Sequence, residues 1–400
     1  MVSLRSFAVL LSALQAAVLA APTKQVIPGR YVVTLKGGIS ARDVESHVGW
    51  VRDVHKRSLG SRGVKGVEKT FHIKDFNAYA GEFDEETLEL IRSNPDAKDQ
   101  IWTLFDAPAA HAEKKRALVT QDDAIWGLAS ISHRTNGSSQ YIYDDSAGAG
   151  TYAYVIDSGV RISHDEFGGR ASMGYVALPG VDDADNFGHG THVAGTVAGA
   201  TVGVAKRANV IGIKAFDAGV KTGMTNVLDA FNWAVDDIVS NGRQDKAVVV
   251  MSLGGVISNT FNNAVNSAFE AGVLSVVSAG NSNEDAGSWS PASAADAITV
   301  GATDAAWNRA TFSNYGSVLD IFAPGAATRS AYYTSDDAYF TYSGTSMACP
   351  HVAGVALYLM TLEGGDAAAI TGRILELATP DAIKDTKGSP NLHLYNGNGA

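Results

Sequence analysis

The fold class is decided by residues 209–251, where the apolar runs NVIGIKAF (209–216) and AVVVM (247–251) flank a helical pattern. The pattern stops at Asn241-Gly242, a typical helix end. Its apolar residues recur at helical spacing and are Val227, Leu228, Phe231, Ala234, Val235 and Ile238. Two more apolar runs are residues 152–156 (YAYVI) and 273–278 (VLSVVS). Fully apolar strands that alternate with helices predict an α/β domain, with a parallel sheet covered by helices on both faces.

The composition excludes several classes of protein. The chain has 400 residues, of which 46% are hydrophobic, so it can form sizeable cores and is not a disordered chain. Its net charge of −11 argues against a nucleic-acid partner that is bound through phosphate contacts. No apolar run after the first twenty residues is long enough to span a membrane. We therefore expect no membrane anchor, and we expect the protein to be a monomer.

The first residues have the pattern of a secretory signal. Arg5 precedes the apolar stretch 7–20, and the small residues Ala20-Ala21 follow it. We expect residues 1–20 to be removed and the protein to be secreted and extracellular. Cys349 is the only cysteine, so the chain can form no internal disulfide. Asn136-Gly137-Ser138 is a glycosylation sequon, and Asn136 is the candidate acceptor.

Residues 21–116 have a different pattern from the rest of the chain. Their predicted strands and helices follow the order β-α-β-β-α-β, which is the ferredoxin-like unit. This part, with residues 1–20, holds 17 Lys and Arg against 14 Asp and Glu, whereas residues 117–400 hold 14 against 28. The basic triplet Lys114-Lys115-Arg116 precedes Ala117 and is either a processing site or an ordinary charged linker. We predict a boundary between Arg116 and Ala117.

Three short motifs carry the chemistry of residues 117–400. Asp157 ends an apolar strand, His189 lies in GHGTHVAGT (188–196), and Ser346 lies in GTSMA (344–348). A Ser hydroxyl becomes a nucleophile when a His takes its proton, and a carboxylate fixes the tautomer of that His. The three residues together therefore permit acyl transfer, and a helix beginning beside Ser346 would favour the negative charge that develops there.

Each of these residues also has a structural interpretation. An Asp at a strand end can form a turn, and a Ser at a helix start can cap the helix. His189 and His192 lack the acid of a zinc-protease HEXXH motif. The order Asp, His, Ser differs from the Ser, Asp, His order of α/β-hydrolases. We expect His192 and His351 to be structural, and Cys349 to be a small buried residue.

The chain resembles the subtilases, and most closely the proteinase K-like branch of secreted fungal serine proteases. The resemblance rests on GHGTHVAGT (188–196) and GTSMACPHVAG (344–354) and extends over residues 22–400. It implies a subtilisin-like peptidase domain over residues 117–400 and an inhibitory prodomain over residues 21–116. The chain order of the three motifs is that of the subtilisin triad. Ser158 stands where the family usually has Thr, a conservative change.

The resemblance also implies roles for individual residues. Asp157, His189 and Ser346 match the catalytic triad, and Asn281 matches the side chain that stabilises the oxyanion. The implied substrate-binding residues are Ser252, Leu253, Gly254, Ala279 and Gly280. The implied ligands of a structural Ca²⁺ are the carbonyls of Ala295 and Ala297 and the carboxylate of Asp320.

Together these features predict a secreted serine endopeptidase that is made as an autoinhibited zymogen and acts on proteins and peptides. One alternative is an esterase or lipase with a convergent triad, which the motif order disfavours. The other alternative is an inactive pseudoprotease that only binds its partners, which an intact triad and Asn281 disfavour.

Overall fold

The computed structural model describes residues 26–36, 39–58, 64–73, 76–105, 117–218 and 222–399. The chain divides into two compact units, residues 1–114 and 115–400. The predicted signal segment and the basic triplet that ends at Arg116 lie outside the described residues.

The first unit is a four-stranded antiparallel sheet with two helices. Its elements are β1 (Val26–Leu35), α1 (Ala41–Arg57), β2 (Gly66–Ile73), β3 (Phe76–Glu82), α2 (Glu85–Ser93) and β4 (Ala97–Phe105). The strand order is β2-β3-β1-β4, and all three pairings are antiparallel. Ser40 caps α1 and Asp84 caps α2, because each side chain accepts a hydrogen bond from a backbone N–H in the first turn. The predicted β-α-β-β-α-β order is confirmed.

The second unit contains a nine-stranded sheet and six helices among its described residues. The helices are α3 (Trp126–Ile131), α4 (His189–Ala198), α5 (Met224–Ser240), α6 (Asn259–Glu270), α7 (Thr345–Leu362) and α8 (Ala367–Leu377). The strands of the large sheet are β7 (Tyr152–Asp157), β8 (Ala171–Val176), β9 (Asn209–Lys214), β10 (Ala247–Met251), β12 (Leu274–Ser278), β14 (Ile298–Thr303), β15 (Ile321–Pro324), β18 (Thr379–Pro380) and β19 (Leu392–His393). Three two-stranded pairs are formed by β5 (Leu118–Gln121) with β6 (Tyr141–Asp144), β11 (Gly255–Val256) with β13 (Trp289–Ser290), and β16 (Thr328–Ala331) with β17 (Tyr339–Tyr342).

Apolar side chains cover both faces of the large sheet. On β7, Val155 packs with residues of α4 and α7 in one core, and Ile156 packs with residues of α5 and α6 in a second core. Helix α7 is long and apolar enough to cross a membrane, but 83% of its apolar window is buried inside the protein, as in the core helix of a globular domain. The predicted fold class is confirmed: every strand pairing in this sheet is parallel except β18 with β19.

The strand order creates a crevice at one edge of the sheet. The order is β18-β19-β15-β14-β12-β10-β7-β9-β8, so the chain adds β8 and β9 on one side of β7 and β10 on the other. In open α/β sheets, sites form outside the carboxyl ends of the strands where the order reverses in this way. Asp157 is the last residue of β7, and Ser252 directly follows β10.

Candidate active site

A buried carboxylate holds the His189 ring at this edge. His189 is the first residue of α4, and its Nδ1 lies 2.8 Å from Asp157 Oδ1 and 2.9 Å from Oδ2. The Asp157 side chain is fully buried, whereas the His189 side chain is 19% exposed. Because the carboxylate accepts the Nδ1 proton, the tautomer that leaves Nε2 free to act as a base is favoured. Burial lowers the pKa of His189, but Asp157 and then Asp185 outweigh burial, so the pKa is raised.

Asp185 organises the backbone around this pair, and the sequence analysis missed it. Asp185 is buried and accepts hydrogen bonds from Ser158 Oγ (2.9 Å), Gly188 N (2.7 Å), Thr191 N (3.0 Å) and Thr191 Oγ1 (2.5 Å). It therefore fixes the backbone on both sides of His189. One feature of the sequence could have indicated Asp185: it is an acidic residue four positions before His189, in a loop with several other acidic residues.

Ser346 lies in the first turn of α7. Its hydroxyl donates a hydrogen bond to Ser252 O (3.2 Å), and Ser252 Oγ donates one to Ser346 O (2.8 Å). This reciprocal pair ties the start of α7 to the chain that leaves β10. The partial positive charge at the N-terminus of α7 favours negative charge beside Ser346.

Two hydrogen-bond donors converge beside Gly344. Asn281 Oδ1 accepts hydrogen bonds from Thr345 N (2.7 Å) and Thr345 Oγ1 (3.0 Å), which leaves its amide nitrogen as a donor. A Cβ atom built on Gly344 would lie 3.4 Å from Asn281 Nδ2 and 3.6 Å from Ser346 N. The Ser346 N–H belongs to the first turn of a helix, where N–H groups have no partner within the helix. The two donors thus face one small space that only a glycine at 344 leaves open.

A cleft of about 410 Å³ adjoins His189. Ser252, Leu253 and Gly254, the implied substrate-binding residues, line it and connect β10 to β11 without belonging to either strand. The apolar lining residues are Phe187, Phe216, Met224, Val227, Leu253 and Phe261. Ala279 and Gly280 do not line this cleft: Ala279 is buried, and Gly280 N donates a hydrogen bond to Thr345 Oγ1 (3.1 Å).

The predicted calcium ligands lie at neighbouring strands of the sheet. Asp320 precedes β15, and its Oδ2 accepts a hydrogen bond from Thr299 N in β14 (2.7 Å). Burial raises the pKa of Asp320 to about 6. Ala297 is buried and directly precedes β14, and Ala295 is exposed. Among the described residues, no group of three or more His, Cys, Asp or Glu side chains could hold a metal ion.

The predicted processing and glycosylation positions are at the surface where they are described. Ala117 is exposed, and its backbone N donates a hydrogen bond to Asp144 Oδ2 (2.8 Å). Asn136 is exposed in the loop after α3. His192, His351 and Cys349 are all fully buried, in keeping with structural roles.

Comparison with known proteins identifies the family. The profile of the subtilase family matches residues 148–398. The chain belongs to the subtilase family. The peptidase inhibitor I9 profile matches residues 30–99, within the first unit.

Similar proteins support the same assignment over the whole chain. The chain is 56% identical to an alkaline proteinase of Hapsidospora chrysogena, with both chains covered completely. It is 53% identical to alkaline protease 1 of Aspergillus clavatus, over 99% of this chain and all of that protein. A crystal structure of a cold-adapted subtilisin-like serine proteinase is 41% identical and superposes with a TM-score of 0.64, covering 69% of this chain and 99% of the other. This subtilase is a serine endopeptidase made with its own inhibitor domain. The comparisons favour this function over the esterase and the pseudoprotease alternatives.

Proposed function

We propose that Ser346, His189 and Asp157 form the catalytic triad of this endopeptidase. The observation that carries the proposal is the double contact of His189 Nδ1 with the buried Asp157 carboxylate, at 2.8 and 2.9 Å. It holds the imidazole in one orientation and favours the imidazolium that forms during the reaction. Hydrogen bonds between catalytic groups often form only when substrate binds, so the Ser346 hydroxyl turns from Ser252 O to His189 Nε2 at that step.

The reaction then follows from these positions. Ser346 Oγ attacks the scissile carbonyl carbon while His189 Nε2 takes the hydroxyl proton. The carbonyl oxygen becomes an oxyanion, which accepts hydrogen bonds from Asn281 Nδ2 and Ser346 N beside Gly344. His189 gives its proton to the leaving amine, and an acyl-enzyme remains on Ser346. A water that His189 deprotonates hydrolyses the acyl-enzyme by the same route.

The substrate is an extended peptide. Residues 252–254 line the cleft and lie outside any strand, so their backbone groups are suited to pair with a substrate backbone. Backbone pairing is insensitive to the substrate's side chains, and the apolar lining of the cleft favours large apolar residues on the acyl side. Ala279 and Gly280 contribute indirectly, because Gly280 N binds the Thr345 side chain that orients Asn281.

The zymogen is processed between Arg116 and Ala117, after removal of residues 1–20, and residues 21–116 act as the inhibitory prodomain of the peptidase domain, residues 117–400. Support comes from the inhibitor profile over residues 30–99 and from the position of Ala117 N, 2.8 Å from the buried Asp144 carboxylate. Cleavage would turn this N–H into an ammonium group beside a carboxylate, which strengthens the contact.

The remaining assignments concern the location and stability of the enzyme. It is a secreted, extracellular monomer without a membrane anchor, with N-glycosylation at the exposed Asn136. It binds a structural Ca²⁺ through Asp320 and the carbonyls of Ala295 and Ala297. Partial burial raises the pKa of Asp320 to about 6, and a bound cation would offset this cost by stabilising the charged carboxylate. Ca²⁺ prefers carboxylate and carbonyl oxygens.

The triad is tested by Ser346→Ala, with Ser172→Ala as the matched control because Ser172 is exposed on the edge strand β8. Both precursors are processed by a trace of tagged wild-type enzyme that is removed before the assay. We expect Ser346→Ala to lose casein hydrolysis while its melting temperature is retained, and Ser172→Ala to match the wild type. Normal hydrolysis by Ser346→Ala would refute the assignment.

A further inference from the structure

We propose that four aromatic side chains on the β16–β17 hairpin bind the leaving fragment of the substrate and select a large aromatic residue directly after the scissile bond. This surface, the aromatic platform, consists of Tyr332, Tyr333, Phe340 and Tyr342. The inference rests on the proposed function, because it takes His189 and Ser346 as the catalytic pair.

The four rings form one connected cluster with an exposed face. Tyr332 stacks on Phe340 with ring centroids 4.9 Å apart and planes inclined by 26°, and Phe340 contacts Tyr342 at 4.7 Å. Tyr333 meets Tyr332 edge to face at 4.9 Å. Phe340 remains 45% exposed. A large apolar ring that is half exposed on an aromatic cluster is typical of a binding surface.

The platform adjoins the residues that handle the leaving group. Tyr342 lies four residues before Ser346, and its ring centroid is 6.3 Å from that of His189. Tyr332 and Tyr333 pack against Gly188, where a Cβ would lie 2.4 and 2.5 Å from their rings. None of the four rings lines the cleft formed by residues 252–254. The platform is therefore a second surface beside His189, separate from the cleft.

The chemistry assigns the two surfaces to the two halves of the substrate. The acyl half is the part that stays on Ser346, and the cleft along residues 252–254 holds it. The amine that leaves takes its proton from His189, so the residue carrying that amine lies against the His189 ring. An extended chain advances about 3.3 Å per residue. The Tyr342 ring, 6.3 Å from the His189 ring, is about two such steps away, so the large side chain of the first residue after the scissile bond can span that distance.

The hairpin is held rigidly to the helix that carries His189. His192 of α4 bonds through Nε2 to Thr328 O (3.1 Å), and Ser330 Oγ donates to His192 O (2.8 Å). The far end of the hairpin is held by Arg161, which contacts Asp336 Oδ1 (2.7 Å) and donates to Tyr333 O (2.9 Å). A preformed surface loses little conformational entropy when it binds, so contacts with an aromatic residue are retained as affinity.

The test measures which amine captures the acyl-enzyme. Processed enzyme is given a peptide ester as acyl donor together with phenylalanine, leucine, lysine or glycine amide, and the ratio of aminolysis to hydrolysis is measured by chromatography. The amide occupies the position of the leaving fragment, so this ratio does not depend on the acyl side. We expect phenylalanine amide to be captured about 3- to 10-fold more efficiently than glycine amide, the range typical of one aromatic contact.

Variants assign this preference to the platform. Phe340→Ser should reduce the phenylalanine-to-glycine ratio to about one, whereas Phe340→Tyr, which keeps the ring, should retain it. Val239→Ser is the matched control, because Val239 is 42% exposed and lies twelve residues along α5 from the cleft residue Val227, about 18 Å away. Its ratio should equal that of the wild type.

The possible failures are distinguishable. If the wild type does not hydrolyse the ester at all, the proposed function is wrong. If the ester is hydrolysed but the four amides are captured equally, or if Phe340→Ser keeps the wild-type ratio, the platform does not bind the leaving fragment. Preferred capture of lysine amide would overturn the aromatic selectivity in favour of a cation–π site.

Discussion

An alanine in place of Gly344 should leave the enzyme folded and almost inactive. Gly344 has a φ of 167°, which is extended backbone that any residue adopts. The nearest atoms to its new Cβ would be Asn281 Nδ2 at 3.4 Å, Ser346 N at 3.6 Å and Asn281 Oδ1 at 3.7 Å, all ordinary contact distances. The methyl group therefore fits the folded protein without strain. It fits, however, in the space between the two donors to the proposed oxyanion.

The size of the effect follows from the same distances. An oxyanion lies about 2.7–3.1 Å from its donors, so it competes with a methyl group that contacts both nitrogens. Loss of one such donor costs about 10²–10³ in kcat, and we expect Gly344→Ala, which obstructs both donors, to cost at least about 10³. KM should change little, because the oxyanion exists only in the transition state.

The assay compares kcat and KM on a chromogenic peptide, with the melting temperature of the inhibited enzyme as the measure of folding. Gly372→Ala is the matched control, because Gly372 lies within α8 and a Cβ there meets nothing within 4 Å. That control should keep full activity and gain about 0.5–1 kcal/mol in stability. If Gly344→Ala retains kcat within about tenfold of the wild type, Asn281 Nδ2 and Ser346 N do not form the oxyanion site.

Four further outcomes are expected. Asn281→Ala should lower kcat by about 10²–10³ with KM nearly unchanged, and an effect on KM alone would make Asn281 a ground-state binding residue. Asp185→Asn should shift the acid limb of the kcat/KM pH profile to lower pH, because Asp185 helps to raise the pKa of His189. Without that charge the pKa of His189 falls, so the unprotonated base persists to lower pH. An unmoved limb would leave Asp185 with a structural role alone. EDTA should lower the melting temperature of the inhibited enzyme, because a bound ion stabilises only the folded state. Asp320→Asn should reproduce most of that loss when calcium is present. Superimposable melting curves with and without EDTA would remove the calcium assignment. Residues 21–116 added in trans should inhibit the processed enzyme. Salt should slow their association, because residues 21–116 and residues 117–400 differ in charge. The absence of inhibition at micromolar concentration would contradict the prodomain assignment.

The sequence alone determined the secondary-structure order and the chemical class. The apolar runs and the helical pattern ending at Asn241-Gly242 required only local periodicity, and the structure has β9, α5 and β10 at those positions. The reactive residues were found in the same way, since His189 and Ser346 lie in short motifs at the starts of helices α4 and α7. Periodicity and motif spacing are properties of neighbouring residues, which a sequence displays directly.

The surroundings of those residues depend on how distant parts of the chain pack together. Packing of the β16–β17 hairpin on α4 brings Tyr332 against Gly188, although the two are 144 positions apart in sequence. Folding likewise places Asn281 beside Gly344, so this motif glycine keeps a space open between two donors. In the sequence Asp185 is one of several acidic residues, and its hydrogen bonds to Ser158 and Thr191 form only in the folded chain. These contacts depend on how the sheet and helices pack in three dimensions, and no local pattern in the sequence encodes that packing.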